Sequence, residues 1–73
     1  MFGERLREAR MNRKITQQSL ADHICVTLRN YQRYEQGIRE PAYAILVKLA
    51  DILDVSTDYL LGRDEFIAKH REN

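Results

Sequence analysis

Two short helix-forming segments separated by almost no chain place the tightest constraint on how this sequence folds. Thr16 and Thr27 each precede such a segment, and a threonine there accepts a hydrogen bond from the free N–H groups of the first helical turn. Only Cys25 and Val26 lie between the end of the first segment and the second threonine. Two helices with so short a connection must cross at a steep angle. The apolar positions with helical spacing are Leu20, Ala21 and Ile24 in the first segment and Tyr31 and Tyr34 in the second.

Three further segments have helical spacing, and none alternates as a strand would. The prediction is an all-α domain of five short helices formed by residues 1–62, with the third helix over about 28–36. The tail, residues 63–73, is either a short sixth helix or a frayed end. The residues that mark the remaining boundaries are Phe2 and about Arg13 for helix one, Gly37 after helix three, Pro41 before helix four, and Ser56 and Gly62 around helix five.

The size of the chain argues against an enzyme. A domain of 73 residues hides only about 60% of the surface that it exposes when unfolded, so few residues are available to line a catalytic cleft. No Ser–His–Asp grouping, carboxylate pair or glycine-rich phosphate loop can be assembled from it. His23, Cys25 and His70 are the candidate soft metal ligands, and none of their spacings matches a zinc site. We therefore expect no enzyme activity, no cofactor and no metal.

The sequence also bears on the cellular compartment of the protein. Cys25 is the only cysteine and cannot form an internal disulfide, and Glu4 and Arg5 interrupt what would be a signal peptide. The longest apolar run covers residues 43–47, far short of the roughly 20 residues that span a bilayer. We expect a cytoplasmic protein without a membrane segment.

Charge is unevenly distributed along the chain. The formal net charge is only +1, which is weak support for a nucleic-acid partner. Residues 1–41, however, hold eight Lys or Arg against five Asp or Glu, whereas residues 42–73 hold four against six. This pattern fits a domain with one basic end, and it also fits a solvated surface of mixed sign.

Landmark residues recur in a fixed order across the five predicted helices. They are Thr16–Ala21, Val26–Thr27, Tyr34–Gly37 with Pro41 four residues on, Leu49–Asp51 and Asp58–Gly62. Over residues 2–62 their order and spacing resemble the Cro/C1-type helix-turn-helix family of bacterial and phage repressors. The resemblance implies a lambda-repressor-like fold in which helix three lies in the DNA major groove, helix two crosses the backbone, and a dimer contacts two half-sites.

Two positions depart from the family pattern. The family usually has glycine where this chain has Cys25, and a β-carbon held at positive φ costs about 1 kcal/mol. The family also tends to have Ser or Thr after the loop proline, where this chain has Ala42. Helix four is therefore expected to lack a side-chain cap worth about 1 kcal/mol.

Helix three carries the residues that the resemblance places against DNA. Because Tyr31 and Tyr34 face the core, the helical period leaves five residues on the outer face: Leu28, Arg29, Gln32, Arg33 and Gln36. Arginine pairs with guanine and glutamine with adenine, and a leucine can pack on a thymine methyl group. The expected base-contacting residues are Leu28, Arg29, Gln32 and Arg33, and the expected phosphate-contacting residues are Gln17, Thr27, Asn30, Arg39 and Arg10.

Glu35 lies beside the core-facing tyrosines of helix three, where an unpaired carboxylate is costly. Arg10 lies one turn beyond Leu6 on the inner side of helix one. In phage members of the family an arginine at the matching place pairs with this glutamate, so we expect a partly buried Arg10–Glu35 ion pair.

Helix four suggests a surface for self-association. Its inward stripe is filled by other residues, which leaves Ile45 and Ile52 on the outer side. Phe66 and Ile67 in the tail are expected to extend this surface, since the family commonly dimerises through its C-terminal part. The alternative is that the tail folds back as a sixth helix and covers the isoleucines within one monomer. The residues of the inward stripe are Leu46, Leu49, Ala50 and Leu53.

The sequence thus predicts a DNA-binding transcriptional regulator, and the resemblance implies a repressor that acts as a homodimer on a palindromic operator. Its expected partner is double-stranded DNA. We expect its activity to be controlled by the amount of the protein, by a regulatory protein partner or by competition for the operator. The alternative is a protein-interaction module on the same scaffold, such as an antitoxin-like protein.

Overall fold

The computed structural model describes residues 2–62 and contains five helices in that range. These are α1 (Phe2–Asn12), α2 (Gln17–His23), α3 (Leu28–Gln36), α4 (Tyr43–Leu53) and α5 (Thr57–Leu61). The predicted all-α fold is confirmed, and the bounds of the helices agree with the sequence to within a residue or so. None of these helices is long and apolar enough to cross a lipid bilayer. Phe66 and Ile67 lie outside the described residues, as does the predicted tail helix.

Three helices begin with a hydroxyl cap. The side chain of Thr16 accepts from the Ser19 N–H at 3.1 Å, and that of Thr27 accepts from the Asn30 N–H at 3.1 Å. Ser56 caps α5 in the same way. Ala42 has the same extended backbone at the start of α4, with φ −62° and ψ 158°, and makes no side-chain cap. The missing cap predicted from the sequence is confirmed.

Each helix is followed by a residue in the left-handed conformation. Gly37 and Gly62 adopt it at φ 76° and 75°, and Lys14, Cys25 and Asp54 adopt it at φ 60° or a little less despite their β-carbons. At Cys25 the turn is closed by the Val26 N–H, which donates to the Ala21 carbonyl at 3.0 Å. The connection between α2 and α3 therefore holds a non-glycine residue in a conformation that favours glycine.

The core lies where α1 packs on α3 and α5, with α2 packed on α3 and α4 packed on α5. Tyr31 and Tyr34 are buried and meet edge to face, with ring centroids 6.4 Å apart. Gly3 allows α1 to approach α3, since a β-carbon there would fall on the backbone carbonyl of Glu35. The largest fully buried side chains are Tyr31, Leu6, Leu20, Ile24, Leu49, Leu53 and Leu60. This packing holds one face of α3 inside the domain and leaves the opposite face outward.

The flank of α4 corrects one expectation. Ile45 and Ile52 are half-buried and pack against the core, so the prediction that they stand exposed on the outer side was wrong. By the helical period they lie at the edge of the inward stripe rather than opposite it. Tyr43, the first residue of α4, is 79% exposed. We call the partly exposed pair Ile45 and Ile52 the α4 flank.

The missing side-chain cap at the start of α4 leads to a stability prediction. Ala42→Ser should place a hydroxyl where it can accept from the N–H of Ile45, three residues on, as at the other capped helices. We expect the free energy of unfolding to rise by about 1 kcal/mol in urea denaturation. Ala44→Ser is the matched control, since Ala44 is exposed inside the first turn and cannot cap. Equal stability of the two variants would contradict the capping account.

Candidate nucleic-acid interface

The outward face of α3 carries a row of residues suited to contacting DNA. Arg29 is exposed, and Leu28, Gln32 and Arg33 are half-buried. Arg29 and Arg33 are four residues apart, so their side chains lie one helical turn from each other on the same side. The structure thus brings the four expected base-contacting residues onto one face, opposite the buried tyrosines.

Behind this face, the carboxylate of Glu35 joins three helices. The Arg10 Nε donates to Glu35 Oε2 at 2.6 Å, and Arg10 Nη2 donates to Oε1 at 3.4 Å. Gln17 Nε2 donates to Oε1 at 3.1 Å, and the Tyr31 hydroxyl donates to Oε2. The side chains of Arg10 and Glu35 are only 13% and 5% exposed. We call these four residues the Glu35 cluster.

The charges of the cluster stabilise one another. Burial by itself raises the pKa of Glu35, but hydrogen bonds from Arg10, Tyr31 and Gln17 together with the Arg10 charge outweigh it, and the net pKa is lowered. Glu35 is therefore ionised at neutral pH. The hydrogen bond to Glu35 is also the main reason that the pKa of Arg10 is raised. Burial and the neighbouring carboxylate raise the pKa of Tyr31, so its hydroxyl stays protonated and donates.

A second set of bonds leads from this cluster to the outer face of α3. Gln17, whose amide nitrogen donates to Glu35, accepts at its Oε1 from Gln32 Nε2 at 3.3 Å. The sequence did not predict that Gln17 bridges Glu35 and Gln32, or that Tyr31 bonds Glu35. The Tyr31–Glu35 bond could have been predicted, because residues four apart on one helix are neighbours. The contact between Gln17 and Gln32 could not, since it depends on how α2 and α3 cross.

Three of the expected phosphate-contacting residues lie near the two ends of α3. Arg39 is exposed beyond the end of α3, and Thr27 and Asn30 lie at its start, where the Thr27 hydroxyl caps the helix. Arg10 is committed inside the domain, since all three of its nitrogens donate, the third to the Ile15 carbonyl at 2.8 Å. Two N–H groups of Arg10 remain for a further acceptor.

Across residues 2–62 no group of three or more His, Cys, Asp or Glu is arranged to hold a metal ion. An open depression of about 340 Å³ lies beside the Glu35 cluster, between α1 and α3. It is lined by charges of both signs, and it offers no nucleophile paired with a base.

Residues 6–60 of this chain match the family model described as Helix-turn-helix. The chain belongs to the helix-turn-helix family. The resemblance predicted from the landmark residues is thus confirmed.

Relatives of this helix-turn-helix chain carry regulator names. It is 49% identical over 61 residues to "Uncharacterized HTH-type transcriptional regulator YqaE" of Bacillus subtilis, covering 84% of this chain and 53% of that protein. It is 41% identical over 69 residues to "HTH-type transcriptional regulator ImmR" of the same species, covering 94% and 54%. Over 60 residues it is 43% identical to "Cryptic phage CTXphi transcriptional repressor RstR" of Vibrio cholerae, covering 82% and 54%. The chain spans about half the length of these relatives.

A solved structure supports the fold. The restriction-modification controller protein C.AhdI from Aeromonas hydrophila superposes with a TM-score of 0.73 at 32% sequence identity. The match covers 81% of this chain and 89% of the controller protein.

The Glu35 cluster yields a second stability prediction. Arg10→Met should lower the free energy of unfolding by about 3 kcal/mol, because it leaves the Glu35 carboxylate without its cation. Arg7→Met on the exposed side of α1 is the control and should change stability by less than about 0.5 kcal/mol. Both values come from urea denaturation at neutral pH.

The stability difference between the parent and Arg10→Met should depend on pH. The folded-state pKa of Glu35 lies below the unfolded value of about 4.3, so its stabilisation is complete above that value and is lost as the pH falls through the folded pKa. The difference between parent and Arg10→Met should therefore shrink in acid below about pH 4. A difference that stays constant down to the acid-unfolding range would show that the pair contributes nothing through its charge.

Proposed function

We propose that this chain is a sequence-specific DNA-binding transcriptional regulator that places α3 in the major groove. The observation that carries the proposal is the two-sided character of α3. Tyr31 and Tyr34 anchor one side in the core, and the other side presents two arginines one turn apart. Family membership and the regulator names of the relatives support it.

In this proposal the outer residues have two different tasks. Arg29 and Arg33 each donate two hydrogen bonds to guanine edges, Gln32 pairs with adenine, and Leu28 packs on a thymine methyl group. The surrounding residues bind phosphates and fix the position of the domain without sequence preference. They are Gln17, Thr27, Asn30, Arg39 and the remaining N–H groups of Arg10.

We further propose repression by a cytoplasmic homodimer on a palindromic operator. A twofold dimer places its two copies of α3 one helical turn of DNA apart, about 34 Å, which requires half-sites about 10 base pairs apart. Such a regulator represses by occupying the operator against polymerase, and a protein partner is one means of controlling it. The phage relative is named a transcriptional repressor, which supports repression rather than activation.

A protein-interaction module is the second candidate, and two observations favour it. The net charge of +1 is low for a DNA-binding domain, and Ile38 and Tyr43 are 72% and 79% exposed. Salt dependence separates the candidates, since phosphate contacts release counterions on binding and an apolar protein contact does not.

The tasks of the arginines give a direct test. Arg29→Ala and Arg33→Ala should each relax the preference at one or two positions per half-site, at a cost of about 1–3 kcal/mol on the preferred operator. Arg39→Ala should weaken binding to all sequences alike and lower the salt slope by about one unit. The measurement is a titration of the selected operator and of random duplex at several salt concentrations.

Two outcomes would count against the assignment. Equal losses on operator and random duplex for the α3 variants would remove their base-contacting role. The absence of salt-dependent binding to random duplex would favour the protein-interaction module.

The dimer prediction rests on the part of the α4 flank that the core leaves exposed. Ile52→Asn removes an apolar contact on the order of 1 kcal/mol from each copy, about 2 kcal/mol per dimer, so a twofold interface there should weaken roughly thirtyfold. Asp51→Asn, on the exposed side of the same helix, should leave the dissociation constant unchanged. Sedimentation measures the mass, and circular dichroism checks that each variant is folded. A folded Ile52→Asn variant with the parent's dissociation constant would move the interface elsewhere.

A further inference from the structure

Gln32 is held from behind by a chain of side-chain hydrogen bonds that starts at a charge. Glu35 accepts from the amide nitrogen of Gln17, and the amide oxygen of Gln17 accepts from the amide nitrogen of Gln32. The two bonds measure 3.1 Å and 3.3 Å and connect the core side of α3, the start of α2 and the outer face of α3. We call Glu35, Gln17 and Gln32 the amide relay.

The direction of the relay is fixed by chemistry. An ionised carboxylate only accepts hydrogen bonds, so the group that Gln17 turns toward Glu35 must be its NH₂. Its oxygen then faces Gln32, and the group that Gln32 turns toward this oxygen must again be an NH₂. A neutral residue in place of Glu35 would permit either orientation of both amides.

This direction leaves a defined set of groups on Gln32 for a ligand. One N–H of the amide is used by Gln17, so one N–H and the whole acceptor capacity of Oε1 remain. Within residues 2–62 Oε1 receives no hydrogen bond. One donor beside one acceptor complements the adenine edge, which offers N7 as an acceptor and the N6 amino group as a donor. It does not complement guanine, whose N7 and O6 are both acceptors.

We propose that Glu35, acting through Gln17, fixes the amide of Gln32 so that the domain prefers adenine over guanine at the base that Gln32 contacts. Glu35 and Gln17 are thus positioning residues for base selection, and Glu35 has a task beyond its ion pair with Arg10. A Gln32 released from Gln17 can turn its amide oxygen away from the base and donate one N–H to guanine N7 or O6.

The inference rests on the proposed DNA-binding function and deepens it. It also differs from the simpler role of Gln17 as a phosphate contact. A phosphate contact contributes equally to all sequences, whereas a positioning residue changes the preference at one base pair. The two roles therefore predict different results for the same substitution.

The experiment compares Gln17→Met with Gln18→Met. Methionine matches the length of glutamine without its hydrogen bonds, and Gln18 is the exposed neighbour, bonded only locally to Asp22 at 2.9 Å. Each variant is titrated with the operator selected by the parent from a random duplex library, and with that operator substituted at each half-site position. Gln32→Met and the double variant Gln17→Met/Gln32→Met complete the cycle.

The expected result is confined to one position per half-site. Gln32→Met identifies the position at which adenine is preferred. Gln17→Met should lower the adenine-over-guanine ratio there by about fivefold or more, and the double variant should lose no more at that position than Gln32→Met alone. Gln18→Met should keep the parent's ratios throughout.

Other outcomes overturn the inference or its foundation. If Gln17→Met weakens all duplexes alike and keeps the parent's ratio, or if its effect adds fully to that of Gln32→Met, Gln17 does not position Gln32. If the parent prefers no duplex over random sequence, the proposed function itself fails. A preference for guanine at the Gln32 position in the parent would overturn this inference and the pairing of Gln32 with adenine, while leaving the proposed DNA-binding function intact.

A readout without DNA covers the case in which Gln17→Met binds or folds poorly. The side-chain NH₂ resonances of Gln32 in the free protein should move in Gln17→Met and stay in place in Gln18→Met. Gln17→Asn, one methylene shorter, should move them as well, because it cannot span Glu35 and Gln32 together. Unchanged resonances in both Gln17 variants would overturn the relay.

Discussion

The carboxylate of Glu35 is the point on which the geometry of this small domain depends. It accepts from Arg10 on α1, Gln17 on α2 and Tyr31 on α3, so one side chain ties the helix-turn-helix pair to the helix that packs behind it. A core of this size has few apolar contacts with which to specify how three helices cross. Directional bonds to one charge supply that specification, and they hold only when all three helices are in place.

Such an arrangement is a costly way to add stability, which is why its geometric role matters more. Removing two charges from water offsets much of their mutual attraction, and an apolar replacement of equal volume is often no less stable. An apolar group, however, has no preferred direction. The ionised carboxylate compels the tyrosine hydroxyl and the glutamine amide to point toward it, and Gly3 permits the close approach of α1 to the same segment of α3. Stability and orientation are therefore separate contributions of Glu35.

Sequence reasoning succeeded where the signal was local and failed where it depended on the packing of helices. Hydroxyl caps and apolar spacing predicted all five helices, because a cap acts within one turn. The α4 flank was misjudged, since whether Ile45 and Ile52 touch the core depends on how α4 lies against its neighbours. A left-handed residue was predicted at Gly37, and Gly62 was predicted only to end α5. The left-handed residues Lys14 and Asp54 were not predicted, although aspartate adopts this conformation more readily than lysine does. The Gln17–Gln32 contact lies entirely between helices.

The side chains on the outer face of α3 differ in how much conformational entropy they would lose on binding DNA. Arg29 is exposed, so ordering it on a base loses side-chain entropy on the order of 1–2 kcal/mol. Gln32 is half-buried and already bonded to Gln17, so most of that loss has occurred in the free protein. Arginine offsets its cost with charge, which also attracts phosphate of any sequence, whereas a neutral amide contributes little except where its donor and acceptor both match. In the proposed complex, an amide fixed by Gln17 beside the arginines of α3 would add discrimination between bases without adding affinity for DNA of any sequence, which suits a domain whose formal net charge is +1.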